Sequence, residues 1–394
     1  MEYDYYFTWT KQIISPKLKV KSTKGNYFIL SGGEKVFDAI STNFQAILGH
    51  SNKKITKSIQ TQLNQMPIAS PKAIFDLKNE STKLLIKFLK LKEGKIFYTI
   101  SGSESVENAL KLARQISGKK YILARKKSYH GATLGALSAT GDWRNEKHFS
   151  LSNYTIRIPE PEEDPSLEKT KKIIKNIGAT KLACIILETI TALNGVIVPQ
   201  KKWWNGIQKL AKDNNILLII DEVTTGFYRT GTNFAFHKYK LKPDIVCMAK
   251  GITAGYIPFG AVWTSKKIAR YYDKNILSCG LTNYAHPLGL AAMNSVIKQL
   301  NNKNFKTSFK VLQDYFYNNL EKIKKLPNVK SIRSSGLLSA IELNNVKNIN
   351  WQKAINYGLH LAVNNNLIIL APPFVVTKND LKQMFLNLKK LILD

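Results

Sequence analysis

Arginine, acid and cysteine are all scarce in this sequence. Only seven of its 59 basic residues are arginines (114, 125, 144, 157, 229, 270 and 333), and 27 acids oppose them, leaving a formal charge of +32. Such an excess invites a nucleic-acid or membrane-surface partner. Bidentate reading of phosphates and bases depends on arginine, however. The lysines are also scattered, and the pairs Lys171-Lys172, Lys201-Lys202 and Lys389-Lys390 are short and far apart. We expect a solvated lysine surface, with neither nucleic acid nor membrane as partner. The three cysteines, Cys184, Cys247 and Cys279, form no CxxC pair, and the first two sit inside apolar runs. That excludes a disulfide framework, leaves no cysteine metal site and implies a reducing compartment. No apolar run approaches the roughly 20 residues a membrane span needs. The start, MEYDYYFTW, carries Glu2 and Asp4 and lacks the basic stretch of a secretory signal, so a cytoplasmic location is expected.

The composition is otherwise that of a folded protein: 394 residues, 44% hydrophobic and 22% charged, enough for a large core and more than one domain. Tyr27 to Leu30 and Val36 to Ile40 flank the turn residues Ser31-Gly32-Gly33-Glu34, which predicts a hairpin. Helical periods at Ile55 to Leu63 and Leu77 to Leu91 then alternate with strand-length apolar runs. Those runs are Ile96 to Thr99, Tyr121 to Ala124, Leu182 to Leu187, Ile216 to Ile220, Ile245 to Met248 and Gly260 to Trp263. Uniformly apolar strands separated by helices predict an α/β fold with a mainly parallel sheet covered on both faces. After His286-Pro287 a long helical stretch, Leu288 to Lys325, leads to an α+β segment with strands near Gly336 to Leu343 and Leu367 to Leu370. An amphipathic helix, Lys378 to Leu393, closes the chain. Three parts are expected: residues 1–45 as an N-terminal segment joining a small domain, 46–287 as the large domain, and 288–394 as the small α+β domain.

Three features carry chemistry. Thr99-Ile100-Ser101-Gly102-Ser103-Glu104 is a strand end, a small-residue turn and a helix start, where free N–H groups can hold a phosphate or simply be capped. Ile216 to Ile220 runs into Asp221-Glu222, placing a carboxylate at the edge where doubly wound sheets bind ligands. A helix cap or a metal ligand is the alternative, although the loop Thr224-Thr225-Gly226-Phe227-Tyr228-Arg229-Thr230-Gly231 that follows favours a shaped site. Ile245 to Met248 leads to Lys250-Gly251, and a lysine at the end of a buried strand has a lowered pKa and can form a Schiff base. A phosphate cradle, a strand-end aspartate and a strand-end lysine are the parts a pyridoxal phosphate site requires.

Taken with Tyr129-His130-Gly131-Ala132-Thr133, Thr282, His286-Pro287 and Pro372-Pro373, these motifs resemble the class III, or ω-amino acid, aminotransferases of fold type I over essentially the whole chain. The resemblance implies a large domain with a seven-stranded, mainly parallel sheet, and pyridoxal 5'-phosphate as cofactor. It implies that Lys250 forms the Schiff base and then moves the substrate proton, and that Asp221 keeps the pyridine nitrogen protonated. Tyr129 and Val223 would pack on the two ring faces, His130 and Glu188 would stand beside the cofactor, and the N–H groups of Gly102 and Ser103 would hold its phosphate. Thr282 would reach the phosphate of a neighbouring subunit, in a homodimer or tetramer.

The implied reaction is a ping-pong transfer from a terminal or ω-amine or an amino acid to a 2-oxo acid such as pyruvate or 2-oxoglutarate, with an aminomutase or racemase of the same fold as the alternative. The sequence departs from the family at its carboxylate gate. Leu193 stands where a second glutamate is usual after Glu188, and Leu367-Ile368-Ile369-Leu370-Ala371 lacks the usual arginine before Pro372-Pro373. Thr224 replaces a common glutamine. The pocket floor at Leu193 and Ile369 is therefore expected to be less polar, with the substrate carboxylate met elsewhere, near Trp9 and by Arg144.

Overall fold

The computed structural model describes residues 3–15, 17–91, 93–147, 153–344 and 349–394. Met1 and Glu2, on which the acidic start was partly read, lie outside them. Three sheets organise the described residues. The first part of the chain supplies β1 (Val20–Lys24), β2 (Tyr27–Leu30) and β3 (Lys35–Asp38). The middle supplies β4 (Gly94–Thr99), β5 (Tyr121–Arg125), β6 (Thr155–Ile158), β7 (Leu182–Glu188), β8 (Leu217–Asp221), β9 (Ile245–Met248) and β10 (Gly260–Ser265). The last part supplies β11 (Val329–Ser335), β12 (Leu338–Leu343), β13 (Leu359–His360), β14 (Ala362–Asn364) and β15 (Leu367–Leu370).

The central sheet has seven strands in the order β4-β10-β9-β8-β7-β5-β6. Only β10 runs against its neighbours, so the strands entering the site end at one edge. Alternate residues explain the unbroken apolar runs. Ile122, Cys184, Ile186, Leu217, Ile219 and Cys247 pack on one face, beneath the helix Gly102–Ser117. Leu123, Ile185, Leu187, Leu218, Ile220 and Met248 pack on the other, with Trp203 and Trp204 of the helix Lys201–Asp213. Both pleat faces are dry, and polar residues are confined to the strand ends.

The expected hairpin is β2-β3, and β1 extends it on one side. On the other side β3 pairs in parallel with β13, placing His360 opposite Asp38, so the beginning and end of the chain share a sheet. The antiparallel sheet β11-β12-β15-β14 stands apart from it. The single long helix expected over 288–325 is two helices, Pro287–Leu300 and Lys303–Lys324. Asn301 closes the first, and the Asn302 side chain accepts from the N–H groups of Asn304 and Phe305 to open the second. Hydrophobic period passes through such a break, whereas capping chemistry makes it. The closing helix is Lys378–Leu393, opened by a Thr377/Asp380 capping box.

Candidate active site

At the carboxyl edge of the central sheet lies a cavity of about 290 Å³ whose lining includes Ser101, Gly102, Ser103, Tyr129, His130, Asp221, Val223, Thr224 and Lys250. Residues from four separate chain regions converge there because β4, β5, β8 and β9 all finish at that edge.

One wall of the cavity is built by the start of the helix Gly102–Ser117. Ser101 caps it, its Oγ accepting from the Glu104 N–H at 3.1 Å, while Glu104 Oε2 accepts from the Ile100 N–H at 2.9 Å. Gly102 and Ser103 are the first helical residues, so no carbonyl one turn earlier can take their N–H groups, and the helix dipole points its positive end the same way. A Cβ on Gly102 would lie 2.8 Å from Val223 Cγ1, and one on Gly131 would lie 2.6 Å from Ser103 Oγ. The cradle therefore requires glycine at both places.

Asp221 ends β8 in register with Glu188 on β7. Its Oδ1 accepts the Val223 N–H at 2.9 Å and its Oδ2 accepts His130 Nδ1–H at 2.7 Å. A carboxylate only accepts, which fixes Nδ1 as the protonated nitrogen. Both side chains are buried, and His130 Nε2 has no partner. Glu188 is buried behind them, Oε1 accepting from the Tyr129 N–H and Oε2 from the Ala192 N–H. Burial raises its pKa, opposed by His130 and Arg125. Arg125, wholly buried, donates to the Glu188 carbonyl and to Thr191 Oγ1 and lies 3.5 Å from Glu160. Glu188 thus supports the site from behind and does not line the cavity.

Lys250 follows β9 in a left-handed conformation, φ 48°. Its Nζ donates to Thr224 Oγ1 at 2.7 Å and lies 4.9 Å from the centroid of Phe44. Burial lowers the pKa of this amine to about 8 against the pull of Asp221 and Glu188, with Arg229 adding to the fall. The cavity thus gathers a poised amine, a buried aspartate and an anion cradle.

The remaining sequence-derived candidates stand outside this lining. Arg144 is held by Asp142 (Nη1 to Oδ2, 2.7 Å) and lies over three rings, Trp9 at 5.2 Å, Tyr129 at 5.0 Å and Trp143 at 4.7 Å. It is one aromatic ring away from the cavity wall. Asp142 Oδ2 also accepts from Asn194, and Asn194 accepts from Asn364 of β14. Thr282 is exposed and does not line its own chain's cavity. Ile369 belongs to the core and the half-buried Leu193 packs against it, and neither lines the cavity. Arg333, the last arginine, donates to the Gly195 carbonyl and pairs with Glu342.

Two lining features escaped the sequence. Gln45 enters through a turn of four successive left-handed residues, Ser41 to Phe44, none of them glycine. Ile257, Pro258 and Phe259 form another wall. Neither carries a motif that points to a cavity.

A family model for class-III aminotransferases matches residues 9–392. The chain belongs to that family. This aminotransferase is 28% identical to an omega-aminotransferase of Caulobacter vibrioides, over 95% of this chain and 93% of the relative. It is 28% identical to a probable mitochondrial gamma-aminobutyrate transaminase 3 of Oryza sativa, over 95% and 82%. Among solved structures, the taurine:2-oxoglutarate aminotransferase of Bifidobacterium kashiwanohense, in complex with PLP and glutamate, superposes with a TM-score of 0.93 at 29% identity, covering 98% of this chain and 95% of that one. The mixed α/β architecture with its seven-stranded sheet is the fold type I arrangement of these transaminases.

Proposed function

We propose that this class III aminotransferase transfers an amino group from a terminal amine or ω-amino acid to a 2-oxo acid, with pyridoxal 5'-phosphate held covalently by Lys250. The single observation that carries this reading is the convergence of Lys250, Asp221 and the free helix start at Gly102-Ser103 on one cavity. The residues fit the cofactor. The cradle excludes a Cβ, His130 Nε2 is a buried unpartnered polar atom, and an acceptor-only aspartate faces where a protonated ring nitrogen is needed.

When bound, the cofactor supplies a conjugated, protonated ring that accepts the electron pair left as the substrate carbon loses its proton. Asp221 would hold the ring-nitrogen proton, and His130, bonded to Oδ2, keeps the carboxylate aimed. Tyr129 and Val223 would pack against the ring, while the N–H groups of Gly102 and Ser103 would bind the phosphate. Lys250 Nζ, drawn toward neutrality by burial, would take the proton from the substrate carbon and return it two atoms along, beyond the transferred nitrogen; Thr224 orients that amine. Thr282 reaches across to the phosphate of a second subunit, so the working enzyme is at least a homodimer. Its exposure, outside the lining of its own cavity, supports this. The reaction occurs in the cytoplasm.

With both charges of the family gate replaced, Arg144 is the cation we assign to the substrate carboxylate, its Asp142 pair and aromatic cage holding it one ring from the cavity. The test is a half reaction: loaded enzyme is mixed with single amines and no acceptor, and bleaching of the cofactor absorbance is followed. Simple terminal amines and ω-amino acids should bleach it faster than ornithine or acetylornithine. No bleaching by any amine, or release of an isomer with the amino group kept, defeats the transaminase reading.

A further inference from the structure

Asp38, at the end of β3, belongs to no step described above, yet four hydrogen bonds converge on its carboxylate. It is wholly buried. Oδ1 accepts from the Thr42 N–H at 2.9 Å and from His360 Nδ1 at 3.1 Å; Oδ2 accepts from Thr42 Oγ1 at 2.8 Å and from His50 Nε2 at 2.9 Å. The two imidazoles come from opposite directions, His50 from the loop after the turn and His360 from β13, and Phe28 packs against both rings.

Two of those four bonds hold Thr42, inside the turn where Ser41, Thr42, Asn43 and Phe44 take φ values of 48°, 47°, 59° and 73°. Four successive left-handed residues with side chains are strained and persist only where the surroundings over-determine them. Here the surroundings are named. Asp38 takes both donors of Thr42, while Ser41 Oγ donates to the Ala371 carbonyl and accepts from Arg229 Nη2. The turn delivers the Phe44 ring to 4.9 Å from Lys250 Nζ and Gln45 to the cavity wall.

We propose that Asp38 is a positioning residue for the reactive amine: by clamping the left-handed turn it holds Phe44 against Lys250, and the ring face favours the protonated form of that nitrogen. His360 makes the clamp depend on closure of β13 onto β3, so the last part of the chain is coupled to the charge of the amine. Around Lys250 the other charges are Asp221 and Glu188, which favour its proton, and Arg229, which opposes it. The titratable and charged groups facing Asp38 are His50, His360 and Arg229. Burial alone would raise the Asp38 pKa; the bonds from His360, His50 and Thr42 prevail and hold it well below the ordinary carboxylate range, so the clamp stays charged across the working pH range.

The proposal rests on Lys250 as the reactive amine, but its test reads that amine directly and needs neither cofactor nor turnover. The full-length apoenzyme is pulse-labelled with a small acylating reagent from pH 6 to 11, and the Lys250 peptide is quantified by mass spectrometry beside deuterium uptake of residues 39–47. Asp38→Asn, which keeps an acceptor for the Thr42 N–H and loses charge, should lower the Lys250 midpoint by about half a pH unit and speed exchange in that peptide. Phe44→Leu, which keeps apolar volume without a ring face, should lower the midpoint by a similar amount. The double variant should move no further than the larger single shift, because both act through one contact. An Asp38→Asn midpoint equal to wild type, or two shifts that add in full, overturns the proposal. Should Asp38→Asn not fold, Thr42→Val, which removes only the hydroxyl bond to Asp38, takes its place with the same outcomes. If Lys250 proves dispensable for turnover, the transaminase reading fails whatever these midpoints are.

Discussion

In the free enzyme, Lys250 should behave as an amine of pKa about 8 where an ordinary lysine titrates at 10.5. Desolvation is the main cause, partly offset by Asp221 and Glu188. At pH 7.5 an ordinary lysine is neutral in about one molecule per thousand, whereas an amine of pKa 8 is neutral in about one quarter, roughly a 200-fold gain in nucleophile. Mixing apoenzyme with pyridoxal phosphate and following the absorbance change should give a capture rate that rises with pH and levels off above about 8.5. Asp221→Asn removes the strongest of the two compensating charges and should move the midpoint to lower pH. The same depression affects stability. Between about 8 and 10.5 the unfolded chain holds a proton on Lys250 that the folded chain has shed, so folding gains stability as pH rises through that window. Subtracting the pH profile of Lys250→Met should isolate that rise. A capture rate climbing to pH 10 without inflection, with wild type and Lys250→Met parallel in stability, would refute the desolvation argument.

Two further outcomes follow from the geometry. Arg144→Ala should raise the apparent KM for the 2-oxo acid about tenfold, the worth of one charge-assisted pair, with kcat within a few-fold; equal KM in steady-state assays would mean that the carboxylate is met elsewhere. Arg229 is buried and donates to the carbonyls of Leu337 and Pro372 and to Ser41 Oγ. Arg229→Met fills the volume but strands three acceptors, so denaturant unfolding should show a loss of about 3 kcal/mol. A loss below about 1 kcal/mol would show that desolvating the guanidinium had cancelled those bonds.

By itself the sequence determined the dry strands, the strand-end Asp221 and Lys250, and the helix start at Gly102, because these follow from local rules. An unbroken apolar run marks a strand covered on both faces, and a small-residue turn before a good helix leaves free N–H groups. It also carried the absence of the family's gate, since Leu193 and Ile369 can be read without coordinates. Only the tertiary structure decided what those absences mean. Ile369 lies in the core and the half-buried Leu193 packs against it, and Arg144 is locked by Asp142 and lies over the rings of its neighbour Trp143 and of the more distant Tyr129 and Trp9. Sequence period ran straight through Asn301-Asn302 because the hydrophobic stripe continues where the backbone stops. The left-handed turn at Ser41 to Phe44 had no local signal at all. Residues with side chains avoid that conformation unless partners hold them in it, and here the nearby Asp38 does so together with Arg229 and Ala371 from two distant parts of the chain.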